Sequence, residues 1–292
     1  MRLKNLETFV TVVKAGSFRA AAERLYTTQP AISARIAALE ENLGVELFDR
    51  SKRQVSLKPK GLELLSYAEC ILKMNAEMEL AIADRSSYSG LIRLGSSETL
   101  IHTWGPTFLD KVRQTYPKIT IELEVDTTLG LRNSLANQEI DIAFLMGPVS
   151  EPSMRNRDLC SYPLVWVASP EMNLPDKPLS LSELAGYPML SYPRKTMPYI
   201  ALRDAFREAS LPSVRIDCSS SLATIIHLAT HGAGISVLPR EVIEKPISSG
   251  ELRIIEVDYD FPALEFTVTY PSSGMVPILD LLADMAVEIA NN

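Results

Sequence analysis

The first 44 residues are punctuated three times, and the breaks leave room for little but short helices. Gly16-Ser17, Thr27-Thr28-Gln29-Pro30 and Gly44 separate stretches whose apolar residues recur at helical spacing. Leu3, Leu6, Val10 and Val13 form the first stripe, widened by Phe9 and Val12. Gly16 ends that helix, because glycine takes the left-handed conformation of a C-terminal cap without steric cost. Ser17 offers an N-cap hydroxyl to a second helix, whose buried side is Phe18, Ala21, Ala22 and Leu25. Proline inside a helix removes a donor and clashes with the preceding turn. In TTQPAISARI the proline follows the capping residue Thr28 and falls in the first turn, where no intrahelical bond is lost. Pro30 therefore starts a third helix. Ile32, Ile36, Leu39 and Leu43 are its expected buried stripe, and Gly44 stops it.

The opposite face of that helix carries Pro30, Ala34, Ala37 and Ala38, flanked by Gln29 and Ser33. Small side chains let such a face enter a major groove closely. Gln29 suits a bidentate contact to adenine, and Ser33 reaches a base or a phosphate. Thr28 at the helix start and Arg35 along the helix join the expected contact set. The following stretch, ELFDRSKRQVSLKPKG, has extended pieces around Phe48 and at 55–57. Between them a polar loop holds Arg50, Lys52 and Arg53, a β-hairpin wing whose cations would meet phosphates or a minor groove. Three helices and a wing make a winged helix-turn-helix. The alternative is a small packing module with a solvated basic loop. Charge favours the first reading: residues 1–60 carry +5 in a chain of net charge -7, so the other 232 carry -12. An anionic partner for the N-terminal segment alone is implied.

Residues 1–61 resemble the N-terminal domain of LysR-type transcriptional regulators. The match rests on fixed spacings of Leu6, Phe9, Gly16, Ser17, Ala21, Ala22, Leu25, Gln29, Pro30, Ser33, Ile36, Leu39, Glu40, Leu43, Gly44, Leu47, Phe48, Arg50 and Gly61. In that family the glutamine, the serine and the wing arginines touch DNA. The resemblance assigns those roles to Gln29, Ser33, Arg50 and Arg53. It departs at Ala34, where a longer polar residue is frequent, and at Lys58, where threonine is usual. It implies double-stranded DNA with a pseudo-palindromic operator as partner.

From residue 59 to about 88 little breaks a helix after Gly61. Leu64, Ala68, Ile71, Asn75, Met78 and Ile82 alternate spacings of four and three, a heptad seam flanked by Leu65 and Leu72. A helix packed on its own domain is one reading. A self-association seam, giving a dimer or tetramer, is the expected one, and the family resemblance agrees.

Beyond Ser89-Gly90, strand-like and helix-like segments alternate. LIRLGSS, a helix over 103–115, TIELEV, a helix over 129–137 and IDIAFLM give a βαβαβ order and a parallel sheet. LVWVAS, PMLSY, a helix over 199–209, VRIDCS, a helix over 222–231 and GISVLP form a second set. FTVTYP and a helix over 276–289 close the chain. Residues 90–292 also resemble the effector domain of the same regulators, through ANQEIDIAFL and HGAGISVLP. That domain is similar to periplasmic solute-binding proteins. The implied fold is α/β overall: a winged helix-turn-helix over 1–58, a linker helix over 59–89 and a two-lobed α/β domain over 90–292. Lobe I would take 90–161 and 268–292, lobe II 162–267, with crossovers near Pro163 and Phe266.

Such sheets bind ligands beyond the carboxyl ends of their strands, between lobes. Those ends hold Ser96, Ser97, Glu98 and Thr99, then Thr127 and Thr128, then Met146, and in the second lobe Lys195 and Thr196. Ser96 and Ser97 beside a helix N-terminus suit a carboxylate, and Lys195 with Thr196 suits an anion. For Glu98 two readings stand: a complement to the helix dipole, or a partner for a ligand amino group. Ser97 and Thr128 also read as plain helix caps, and Lys195 as a solvated charge.

Enzyme and transport alternatives lack support. GxSxG, a phosphate-binding GxxxxGK[ST] loop and GxGxxG are missing, so no cofactor is expected. His227 and His231 in HLATH share a helix face, but Leu228 stands where a metalloprotease needs glutamate, and no metal is expected. A transport binding protein should carry an export signal, and MRLKNLETFV has no cleavage signature. No apolar run suits a bilayer, and the three scattered cysteines, Cys70, Cys160 and Cys218, fit a reducing cytoplasm. The expected function is sequence-specific DNA binding in transcription, controlled by a small organic effector in the cleft. Candidate effectors include carboxylates, and RNA polymerase is a further candidate partner.

Overall fold

A computed structural model of the chain describes residues 2–49, 55–82, 88–209, 211, 214–272 and 278–291. It divides into an N-terminal and a C-terminal unit. In the first, α1 (Leu3–Ala15), α2 (Phe18–Arg24) and α3 (Gln29–Leu43) begin and end at the expected breaks. Gly16 closes α1 at φ 69°. Ser17 Oγ accepts the Ala20 amide at 3.0 Å, and Thr28 Oγ1 accepts the Ala31 amide at 3.4 Å. Leu6, Phe9, Val10, Ala21, Ile32, Ile36 and Leu39 pack into one core. Each large side chain buried there contributes on the order of 1.5–3 kcal/mol. Leu3 and Leu43, expected in the stripes, are exposed. They sit at helix ends, past the reach of the facing helices.

The base of the expected wing is present as an antiparallel bridge between Phe48 and Leu57. The Phe48 ring packs at a steep angle against those of Phe9 and Phe18, with centroids 5.4 Å apart in each pair. Glu40 Oε1 accepts the Leu47 amide at 2.8 Å, tying the end of α3 to the first wing segment. Arg50, Lys52 and Arg53 lie outside the described residues.

Helix α4 (Pro59–Ile82) is 24 residues long. Its expected seam splits into two faces. Ala68 and Leu72 are buried in the N-terminal core, with Leu64 and Leu65 packed against it, and Lys14 pairs with Glu69 at 3.2 Å. Tyr67, Ile71, Met74 and Met78, spaced by four, three and four, are exposed instead. Only Ile71 and Met78 of the expected seam lie on that second stripe. The heptad spacing serves two faces, and the core of the first domain claims one of them.

In the C-terminal unit the first sheet runs β2-β1-β3-β10-β4. Strands β1 (Ser89–Ser96), β2 (Lys118–Val125) and β3 (Ile142–Met146) are parallel, and β10 (Leu264–Pro271) runs antiparallel between β3 and β4 (Met154–Tyr162). The second sheet, β7-β6-β8-β5-β9, repeats the plan. Its parallel strands are β6 (Met189–Ser191), β7 (Ile216–Cys218) and β8 (Ile235–Pro239), and β5 (Leu164–Ala168) runs antiparallel between β8 and β9 (Arg253–Ile254). The first lobe carries α5 (Glu98–His102), α6 (Gly105–Thr115), α7 (Thr128–Ala136) and α12 (Ile278–Ala290). The second carries α8 (Leu181–Leu184), α9 (Met197–Glu208), α10 (Leu222–Thr230) and α11 (Glu244–Ser248). The helix expected over 103–115 is α6, and a further short helix, α5, precedes it across Thr103 and Trp104. Pro163 alone separates β4 from β5. The return passage precedes Leu264, because Phe266 already pairs with Met146 and Cys160 inside the first sheet.

Candidate functional site

On α3, Gln29, Pro30, Ser33, Ala34 and Ala37 are all exposed, and Thr28 is exposed at the cap. The helix thus presents a shallow polar and small-residue face while Ile32, Ile36 and Leu39 anchor its back. Arg35 is half-buried, and its Nη1 reaches Thr8 Oγ1 at 3.4 Å, so it braces α3 against α1 rather than standing on the open face. Tyr26, in the turn before α3, is 93% exposed at φ 46°, a conformation an L-residue seldom adopts. The sequence marked it only as a turn.

A cleft of about 920 Å³ opens between the two sheets of the C-terminal unit. Ser97, Glu98, Thr99, Thr127, Thr128, Met146, Lys195 and Thr196 all line it. Ser96 does not. Its side chain is fully buried, and its hydroxyl donates to the Ser97 carbonyl at 3.2 Å. The strand-end rule located these groups because each sheet ends its parallel strands on the same side.

The polar groups differ in what they leave open. The Ser97 amide donates to the Phe144 carbonyl at 2.8 Å, so it is not free for a ligand, but Ser97 Oγ is buried and makes no hydrogen bond. Ser97 is therefore not a side-chain cap. Thr127 caps α7 instead, accepting the Gly130 amide at 3.3 Å, and Thr128 Oγ1 forms no side-chain hydrogen bond among the described residues. Thr196 Oγ1 donates to the Pro193 carbonyl at 2.7 Å. Tyr192, at the end of β6, has a buried hydroxyl without a hydrogen bond of good geometry, beside Thr99. Burial pushes its phenol above the ordinary range, which keeps it a hydrogen-bond donor.

Sequence reasoning missed Tyr192, Arg132 and Arg194 as lining residues. Arg194 stands directly before Lys195 in the sequence and was available. Arg132 sits one turn into α7, where no strand-end signal points. Arg132 and Lys195 form no ion pair among the described residues. The rest of the lining is largely apolar, including Leu129, Met146, Pro148, Met197 and Phe266.

Glu98 stands in the first turn of α5, and its carboxylate is engaged beyond that helix. From the first lobe it reaches the start of α10 in the second. Its Oε2 accepts the Leu222 amide at 2.6 Å, and Oε1 accepts the Ala223 amide and the Ser221 hydroxyl, each at 3.2 Å. His102 Nε2 stands 3.5 Å from Oε1. His227 and His231 lie exposed further along α10, their rings 4.3 Å apart.

Family models match nearly the whole chain. That of the bacterial regulatory helix-turn-helix protein, lysR family, covers residues 3–62, and that of the LysR substrate binding domain covers 85–290. The HTH-type transcriptional regulator GltR of Bacillus subtilis is 30% identical over 269 residues, 91% of this chain and 90% of its own. CrgA, a LysR-type transcriptional regulator from Neisseria meningitidis, is 28% identical with a TM-score of 0.59 over all of both chains. A full-length OxyR from Pseudomonas aeruginosa shares the fold, with a TM-score of 0.63 at 24% identity, over 98% of this chain and 94% of its own. No described helix is long and apolar enough to cross a membrane.

Proposed function

Because the chain belongs to the LysR-type transcriptional regulators, DNA-binding proteins with an effector-binding domain that assemble into oligomers, we propose that its cleft takes a small organic anion with an apolar body. One observation carries the reading. The cleft joins a buried, unbonded hydroxyl, Ser97 Oγ, to two cations with no ion-pair partner among the described residues, Arg132 and Lys195, over an apolar floor. A buried donor left unmade costs on the order of 1–3 kcal/mol, and a ligand acceptor recovers it. Thr128 and Tyr192 supply further donors to a carboxylate. The anion changes the relative population of operator-binding arrangements only as far as its affinity differs between them.

In this reading the DNA-binding domain, with Gln29 and Ser33 at its reading face and Arg50, Lys52 and Arg53 in the wing, binds a pseudo-palindromic operator in the cytoplasm. RNA polymerase is the partner through which occupancy becomes transcription. The domains are 1–58, 59–89 and 90–292.

Titrating a panel of small carboxylates into the full-length protein, with Trp104 and Trp166 fluorescence as the signal, tests the cleft. Trp104 packs against Phe144, whose carbonyl holds the Ser97 amide. The double variant Ser97→Ala, Thr128→Ala should bind a carboxylate that the native cleft accepts at least about tenfold more weakly, the loss of one or two hydrogen bonds to a charged group. Unaltered binding overturns the assignment.

The exposed stripe of Tyr67, Ile71, Met74 and Met78 is the self-association face. Deleting 59–88 is not a clean test, because Ala68 and Leu72 belong to the core of the first domain. Placing glutamate at both Ile71 and Met74 spares that core. Sedimentation equilibrium should show the dimer dissociation constant rising at least about a hundredfold, as two charges meet their copies across a helix pair. A native-like dimer would assign that stripe another role.

A further inference from the structure

The start of α10 is the natural anion position of the second lobe, and in this chain it is already filled. A helix begins with four amides that have no intrahelical acceptor. Here all are satisfied. Ser221 Oγ takes the Thr224 amide at 3.3 Å, Ser219 Oγ takes the Ser221 amide at 3.1 Å, and Glu98 takes those of Leu222 and Ala223. Two of the four acceptors thus come from a carboxylate in the opposite lobe. The Ser221 hydroxyl also donates to that carboxylate, so it is spoken for on both sides.

We infer that Glu98 is a specificity-determining clasp: an internal carboxylate that joins the two lobes and denies the α10 N-terminus to the anionic group of any effector. The inference rests on reading the cleft as the effector site. Glu98 starts a short helix fixed to the end of β1, so its carboxylate is presented at a high effective concentration that a free ligand must exceed. The helix dipole and three charge-assisted hydrogen bonds hold it there. An effector anion is therefore directed toward Arg132, Lys195 and the free hydroxyls of Ser97 and Tyr192. Removing the clasp should uncover a second carboxylate position that native protein lacks.

The test is hydrogen–deuterium exchange of the full-length protein, resolved to the amides of Leu222 and Ala223, with acetate as the probe. In Glu98→Ala these amides should exchange about tenfold faster or more, as a charge-assisted acceptor is lost. Acetate, taken to about 0.5 M to approach the concentration the tether supplies, should restore at least half of that protection. Sodium chloride at equal ionic strength should not, and native protein should respond to neither. Glu98→Gln keeps the length and one carbonyl acceptor, and should raise exchange at the same two amides by less. Unchanged exchange in Glu98→Ala overturns the inference. So does faster exchange that acetate leaves untouched, and so does exchange that rises throughout the lobe in both variants, which would make Glu98 a folding determinant. Acetate is not the effector, so these results stand apart from the carboxylate titration of native protein.

Discussion

Gln29→Ala lowers operator affinity by at least about tenfold while leaving the melting temperature where it was. The side chain is exposed at the first position of α3, and its amide is free to meet an adenine edge. A bidentate contact of that kind contributes roughly 1–3 kcal/mol of discrimination, and a dimer makes it in both half-sites. An exposed residue outside the core alters folding stability by about 0.5 kcal/mol or less. Fluorescence anisotropy on an operator duplex, with a thermal melt beside it, separates the two effects. Weaker binding that comes with a lower melting temperature would mean that Gln29 supports the helix rather than reads DNA. The salt dependence should remain steep in the variant, since the phosphate contacts assigned to the wing are untouched.

Gly61→Ala has the opposite signature: it damages the domain itself. Gly61 lies in the first turn of α4, with its amide bonded to the Lys58 carbonyl at 2.8 Å. A Cβ there would fall well inside contact distance of the Leu47 carbonyl oxygen and 2.9 Å from Leu57 Cδ2. That carbonyl accepts the Lys58 amide at 2.9 Å, and Leu47 is fully buried. Backbone, not a flexible side chain, must give way, and it is the backbone that forms the base of the wing. Overpacking of this kind costs about 1–3 kcal/mol. For a domain of this size that lowers the melting temperature by several degrees or more, at roughly 4–8 °C per kcal/mol. Calorimetry should show the loss in the transition of the N-terminal unit alone. An unshifted transition would mean that the wing base yields freely, and the account of how α3 and the wing are held together would fail with it.

What could be read from the sequence, and what could not, divides along physical lines. Local rules found the helix starts and stops, because Ser17, Thr28, Pro30 and the glycines act on their own backbone. Strand-end logic found most of the cleft, because a parallel sheet turns all its carboxyl ends one way. Three features escaped. The two faces of α4 share one heptad spacing, and only the packing of Ala68 and Leu72 on α1 and its neighbours decides which residues remain exposed. The reach of Arg35 to Thr8 is not encoded in the spacing of α3, because it depends on how α3 crosses α1. Glu98 was weighed against its own helix, whereas its partner is α10, 124 residues away, and no periodicity encodes that pairing. The comparisons with relatives establish the family and leave the ligand open, so the chemistry of the cleft rests on Ser97, Arg132, Lys195 and Glu98 themselves.

The central claim is that the exposed face of α3 reads base sequence. Selection of random duplexes by the full-length protein, run in parallel with the Gln29→Ala, Ser33→Ala double variant, tests it most directly. The native protein should enrich a motif of two related half-sites about one helical turn apart or a multiple of it. The double variant should lose base preference at the positions within each half-site while still binding duplex DNA at low salt. The same motif enriched to the same degree by both proteins would contradict the account.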